Sequence, residues 1–188
     1  MIEEIYKDVF KITGESNLYF LKEENLLIDT GYPTDELMIK QDLSKIIPLE
    51  EVKTVIFTHM HYDHVGNFHL FTNASFYASK DSVDSLEEDK YKAILLKPLA
   101  DKFNIDVKDI SSLSLPDYLE VIDTPGHSKG SICIYDKKRK ILFSGDTLFF
   151  RDNIGRMDLP FSSPKEMSSS LNKLKDLDIE ILCPGHDY

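Results

Sequence analysis

The chain has no stretch of about 18 consecutive apolar residues, which argues against a bilayer-spanning helix. Residues 1–20 lack the basic start and apolar centre of a secretory signal, because Glu3, Glu4 and Asp8 interrupt them. A cytoplasmic location without a membrane partner is the resulting expectation. Cysteine is scarce. Cys133 and Cys183 sit in the apolar runs Ile132-Cys133-Ile134 and Ile181-Leu182-Cys183, so both are expected as buried, reduced thiols rather than a disulfide or metal ligands. Basic charge is also short: 22 Lys and Arg face 33 Asp and Glu, a net charge of −11. Nucleic-acid binding normally needs a basic stripe to neutralise phosphates, and none is visible. The one basic cluster, Lys137-Lys138-Arg139-Lys140, lies between two apolar strand patterns and is expected as a solvated hairpin turn. No Pro/Gly/Ser-rich linker or low-complexity segment divides the chain. Residues 1–188 therefore read as a single domain, large enough to bury a core without disulfides.

What is present is a succession of short strand and helix signals. Strands are expected over 5–12, 17–21 and 26–29, punctuated by Gly14 and the Glu23-Glu24-Asn25 turn. A helix is expected over 35–47, with Thr34 as its cap and Ile39, Leu43, Ile46 and Ile47 on one face. Val55-Ile56-Phe57 is a continuous apolar run, as in a strand covered on both sides. Ser163-Pro164-Lys165-Glu166 combines a capping box with proline at the first helical position, and Met167, Leu171 and Leu174 continue as an apolar stripe. Segment 79–115 is expected to be helical. Strands alternating with helices imply a layered α/β architecture.

Polar chemistry collects where the apolar runs stop. Thr58-His59-Met60-His61-Tyr62-Asp63-His64 follows Val55-Ile56-Phe57 and spells H-x-H-x-D-H. Alternate residues leaving a strand share a face, so His59 and His61 can point together while Asp63 and His64 diverge as the chain turns. Imidazole nitrogen and carboxylate oxygen suit zinc or a similar first-row metal, at bonds of about 2.0–2.2 Å. A solvated, histidine-rich loop would account for this segment alone, but not for the recurrence of the pattern. Thr124-Pro125-Gly126-His127 and Cys183-Pro184-Gly185-His186 each follow an apolar run, and Ile141-Leu142-Phe143-Ser144 ends in Gly145-Asp146. A glycine beside each candidate ligand allows a sharp turn off the strand. Five of the six histidines occupy such strand-end turns; His69 is the exception and is expected at the surface or behind the ligands.

H-x-H-x-D-H, a histidine after Pro-Gly, then Gly-Asp, then Pro-Gly-His resembles the metallo-β-lactamase superfamily, from about Asp29-Thr30-Gly31 to the C-terminus. The resemblance implies a four-layer αββα sandwich with the metals at one edge between two sheets. It implies that His59, His61 and His127 hold one ion, that Asp63, His64 and His186 hold a second, and that Asp146 bridges both. Asp29 corresponds to an early aspartate that supports the site without ligating. The β-lactamases proper carry Cys or Ser where this chain has Asp146, so antibiotic hydrolysis is not expected. Gly145-Asp146-Thr147-Leu148-Phe149 with Ile154-Gly155-Arg156-Met157-Asp158-Leu159-Pro160 is similar to short glyoxalase II-like hydrolases. The short type it resembles is one without the added helical domain that holds a glutathione thioester in glyoxalase II itself, so glutathione is not the expected carrier.

The implied activity is dinuclear, metal-dependent hydrolysis of a small-molecule thioester of the hydroxyacyl-thiol type. Zinc is the first expectation for the two divalent cations, and the same ligands accept iron or manganese. Two cations sharing a water would lower its pKa toward about 7 and make a bridging hydroxide the nucleophile. Asp63, besides ligating, is placed to orient that hydroxide. A thiolate, with a pKa of about 8.5, departs with little help from an acid, whereas an amine would need a proton donor. The alternatives are a mononuclear iron persulfide dioxygenase, a lactone or ester hydrolase, and a non-catalytic metal-binding module. Arg156 reads equally as an anchor for an acidic substrate group and as half of a structural ion pair. Oligomeric state is not encoded in any pattern found.

Overall fold

A computed structural model describes residues 1–187 and contains two β-sheets with helices on their outer faces. The first sheet has seven strands in sequence order: β1 (Ile2–Tyr6), β2 (Val9–Ile12), β3 (Leu18–Leu21), β4 (Leu26–Ile28), β5 (Thr54–Ile56), β6 (Ser75–Ala78) and β7 (Val107–Asp109). Pairing is antiparallel from β1 to β4 and parallel from β4 to β7. The second sheet contains β8 (Leu119–Asp123), β9 (Ile132–Asp136), β10 (Ile141–Gly145) and β11 (Ile181–Pro184), in the order β11-β10-β9-β8. Only β10 and β11 pair in parallel there.

The alternation of side chains along the strands makes the layers. Val9, Tyr19, Leu21, Leu26, Ile28 and Ile56 meet Ile132, Ile134, Ile141 and Phe143 between the two sheets. Their neighbours Phe10, Ile12, Leu18, Phe20, Val55 and Phe57 point the other way. That outer face is covered by α1 (Glu36–Leu43) through Ile39 and Leu43, by α3 (Lys80–Ile94) through Ala93 and Ile94, and by α4 (Lys97–Lys102) through Leu99 and Ala100. A single helical turn, α2 (Tyr62–Val65), adds Val65. On the opposite outer face Cys133, Tyr135 and Leu142 pack with Leu174 of α5 (Pro164–Leu174). Three apolar cores thus separate four layers in the order αββα.

Several expected boundaries shift. The strand anticipated over 5–12 is a hairpin, because Asp8 takes a left-handed conformation (φ +60°) and folds β1 back on β2. Asp and Asn tolerate that region better than other side chains. The helix expected over 35–47 is shorter. Pro33–Asp35 forms a 3-10 turn, Thr34 lies inside it rather than capping, and the Asp35 carboxylate accepts from the Glu15 amide at 2.8 Å. Ile46 and Ile47 still pack on the core from the turn after α1. Segment 79–115 holds α3 and α4 but also β7, where Val107 closes the sheet edge against Phe76 of β6. Ser163 does occupy the N-cap of α5, with Pro164 at the first helical position, but its side chain makes no capping bond. Its amide instead donates to the Gly126 carbonyl at 2.8 Å, which ties the helix start to the His127 loop.

The 137–140 cluster does turn a hairpin between β9 and β10, yet it is not wholly solvated. Arg139 is only 5% exposed, and its guanidinium reaches Asp136, Glu24 and Glu23 at 2.7–2.9 Å. Both cysteines are free and buried, as expected. Among the described residues no helix is long and apolar enough to cross a membrane.

Candidate metal centre

Residues that follow β4, β5, β8, β10 and β11 converge at one edge of the sandwich, and backbone bonds stitch the two sheets there. The Ile132 amide donates to the Thr58 carbonyl at 2.9 Å and the Asn17 amide to the Gly185 carbonyl at 2.7 Å, while the Gly185 amide, bonded to the Gly145 carbonyl at 2.8 Å, extends the β10–β11 pairing within the second sheet. Two glycines are required for different reasons. Gly145 has φ +49°, and a Cβ there would stand 2.7 Å from Thr58. Gly185 has no such backbone demand; a Cβ on it would lie 2.3 Å from Asp146 Oδ1 and 2.7 Å from His64 Cε1. Its role is close approach rather than a sharp turn.

All seven expected ligands come together, in two adjacent groups. His59, His61 and His127 form one, and Asp63, His64, Asp146 and His186 the other; within each group the ligand atoms lie within 4.8 Å of one another. Asp146 stands between them. Its Oδ1 is 3.2 Å from His64 Nε2, and its Oδ2 is 3.5 Å from both His127 Nε2 and His186 Nε2. His61 Nδ1 approaches His127 Nε2 to 2.8 Å. His59 Nε2 is buried without a hydrogen bond, and buried His64 Nε2 and Asp146 Oδ1 face each other at 3.2 Å without good hydrogen-bond geometry. Leaving such atoms unmet costs roughly 1–3 kcal/mol each. A divalent cation in each group would meet them, so the donor set fits metal ions.

The other ring nitrogens are held from behind. His64 Nδ1 donates to Asp29 Oδ2 at 2.8 Å, His127 Nδ1 to the Arg156 carbonyl at 2.8 Å, and His186 Nδ1 to the Glu15 carbonyl at 2.8 Å. Thr58 donates its hydroxyl to Asp29 Oδ2 at 2.8 Å and lies 3.2 Å from His59 Nδ1. Asp29 also accepts from the Thr58 amide at 2.7 Å. Bonds of this kind fix the tautomer and aim the free nitrogen at a metal. Asp29 is therefore placed as the sequence led us to expect. Thr58 and the Glu15 and Arg156 carbonyls were not anticipated; only Thr58, adjacent to His59, could have been suspected from sequence. Asp29→Ala is expected to weaken metal binding about 10- to 100-fold, measured by competition with a chromophoric chelator. Unchanged affinity would remove Asp29 from a supporting role.

The electrostatics differ between the two groups. Burial pushes the His59, His61 and His127 pKa values down, with neighbouring imidazoles adding to the effect at His59 and His61; His61 falls to about 3. These rings are neutral and present lone pairs. In the second group burial opposes charge as well, but the carboxylates win. Asp146, Asp29 and Asp63 hold His64 well above the usual imidazole range, and Asp146 and Asp63 raise His186 to about 9. In turn, burial opposes ionisation of Asp146, yet His64 and His186 hold it well below the usual carboxylate range. The second group is built to surround positive charge.

A cavity of about 370 Å³ opens over these candidate ligands, with walls that include Tyr62, Leu95, Phe149, Ile154 and Arg156. Tyr62 packs edge-on against Tyr32, their ring centres 5.4 Å apart. The Arg156 guanidinium is exposed and forms a bidentate pair with Asp158 at 2.7 Å, so its structural partner is present while it also lines the cavity. His69 lies outside the cluster, half exposed and 3.6 Å from Glu36. His69→Ala is expected to leave metal stoichiometry unchanged by elemental analysis; loss of an ion would overturn the ligand grouping.

The profile of the metallo-beta-lactamase superfamily matches residues 13–186. The chain belongs to that superfamily. Among metallo-beta-lactamase relatives, it is similar to the acyl-coenzyme A thioesterase MBLAC2 of Homo sapiens, at 26% identity over 97% of this chain and 76% of that one. It is also similar to the hydroxyacylglutathione hydrolase of Bartonella henselae, at 33% identity over 73% of this chain and 49% of that one. The crystal structure of TTHA1623 in a di-iron-bound form superposes with a TM-score of 0.69 at 28% identity, covering 95% of this chain and 91% of that one. The four-layer arrangement is thus the superfamily's fold, and the seven converging residues lie within the matched segment.

Proposed function

We infer that this chain is a hydrolase of thioesters that works with two divalent cations. The observation that carries the reading is the pair of adjacent ligand groups, His59/His61/His127 and Asp63/His64/Asp146/His186, at the floor of one open cavity. Two of its relatives, a thioesterase and a hydroxyacylglutathione hydrolase, cleave acyl–sulfur bonds by name. Bound cations would acidify a shared water and polarise the substrate carbonyl. The protein's own residues set the geometry. Asp63 lies on the cavity wall with one carboxylate oxygen 3.2 Å from His186 Nε2. The other oxygen is available to accept from the attacking water and orient it.

The reaction forms a carbon–oxygen bond and breaks the carbon–sulfur bond; sulfur leaves with the electron pair and takes up a proton from solvent. A thiolate needs no acid. An amide, whose amine must be protonated, is disfavoured on the same ground. Zinc fits the ligand set and so does iron, which TTHA1623 holds in its di-iron form. Two buried, free thiols accord with a reducing compartment such as the cytoplasm. Elemental analysis of the purified protein paired with a thioester assay tests the reading, with about two ions per chain and turnover expected. One iron per chain with oxygen uptake on a persulfide would replace it with a dioxygenase. Metal-loaded protein inert toward thioesters, esters and phosphodiesters would replace it with a metal-binding module.

A further inference from the structure

A second cavity, of about 380 Å³, lies between α5 and the loop that follows Asp146, lined by Leu148, Ile154, Leu171 and Leu174 with Asp152 and Lys175. Ile154 lines both this groove and the cavity over the candidate metal ligands, so the two spaces lie on either side of one shared wall. The loop leaves Asp146 and returns to it, since the Gly155 amide donates to the Asp146 carbonyl at 3.1 Å. Within it Arg151 and Asp152 both adopt left-handed backbone (φ +58° and +60°). Those two residues reverse the chain between Leu148 and Ile154, the loop's aliphatic contributions to the groove. Met167 and Leu174 of α5 are buried, while Leu171 is partly buried and lines the groove.

We propose that this groove receives the acyl chain of the thioester, making the chain a hydrolase of medium- and long-chain acyl thioesters; the proposal rests on the thioesterase reading above. Four aliphatic side chains can bury methylenes but cannot partner amides. The thiol-bearing half of a carrier such as coenzyme A or glutathione contains amides, and burying them unpaired would cost affinity. An alkyl chain has no such requirement. The thiol half is thus directed toward the open, polar side of the catalytic cavity, where Arg156 stands.

The test uses butanoyl, octanoyl and dodecanoyl esters of one thiol with the metal-loaded protein. The expected result is a rise in kcat/KM of about two- to fourfold per added methylene until the groove is filled. Leu171→Glu, which places a charge in the groove, is expected to abolish the rise, and Leu171→Met is expected to preserve it. Calorimetric binding of the corresponding non-hydrolysable thioethers supplies a second readout, with affinity rising along the series in the parent and not in Leu171→Glu. Turnover of all three esters without chain-length dependence would overturn the proposal and leave the thioesterase reading standing. So would a Leu171→Glu protein that keeps the full rise, or a parent dimer that Leu171→Glu converts to monomer with a flat profile. No turnover of any acyl thioester would overturn both.

Discussion

Asp146→Ala is expected to lower metal content from about two ions per chain toward one and to reduce kcat/KM by more than about a hundredfold. The factor follows from position. Removing a group that merely orients a ligand costs about 10- to 100-fold in affinity or activity, and Asp146 faces the inner nitrogens directly. Its carboxylate reaches both histidine sets, 3.2 Å from His64 and 3.5 Å from His127 and His186. Alanine removes negative charge from a place where His64 and His186 depend on it to stay protonated in the metal-free protein. Those rings can lose their protons when the carboxylate goes, so the fold is expected to tolerate the change far better than the activity does. Elemental analysis, thioester kinetics and thermal melting of the metal-free protein check the three parts. Metal content and kcat/KM equal to the parent would remove Asp146 from the centre.

The candidate ligands were legible because most of them sit just after an apolar strand, where the chain leaves the sheet. Short-range spacing within His59-x-His61-x-Asp63-His64 is a local signal. The recurrence of His127, Asp146 and His186 after later strands required only that the strands end at one edge. What orients the ligands was mostly hidden. Backbone carbonyls of Glu15 and Arg156 fix two of the imidazoles, and a carbonyl has no sequence signature. Gly185 was readable as a turn residue but is needed for the space it leaves beside Asp146. Element boundaries failed where one residue competed with a pattern. Asp8 folds a continuous strand signal into a hairpin, and Asp35 is taken by the Glu15 amide instead of opening a regular helix. The burial of Arg139 was invisible because its partners Glu23 and Glu24 arrive from the other sheet.

Arg139→Ala is expected to destabilise the protein by about 3–5 kcal/mol, the range for stripping one partner from a buried ionic cluster. In a chain of this length that corresponds to a fall in Tm of roughly 10 °C. Arg139 joins the β9–β10 turn of one sheet to the β3–β4 turn of the other, at the opposite end of β10 from Asp146. Its Nη1 reaches Asp136 at 2.7 Å and Glu24 at 2.8 Å, and all three side chains are almost fully buried. Tyr118 donates a further bond to Glu24 at 2.7 Å. Burial by itself would raise the Glu24 pKa, but the bonds from Arg139 and Tyr118 outweigh it and hold the carboxyl below its ordinary range. A depressed folded-state pKa gives stability that is present above the unfolded value of about 4.3 and is lost as pH falls through the lower folded value. In the variant, Glu24 and Asp136 face each other without their cation, so protonation relieves the strain instead of adding to it. The difference in stability between parent and variant should accordingly be largest near about pH 7 and shrink toward about pH 4, as urea melts at the two pH values will show. A deficit that is constant across that range would mean that lost packing of the Arg139 stem, not its charge, holds the two sheets together at this end.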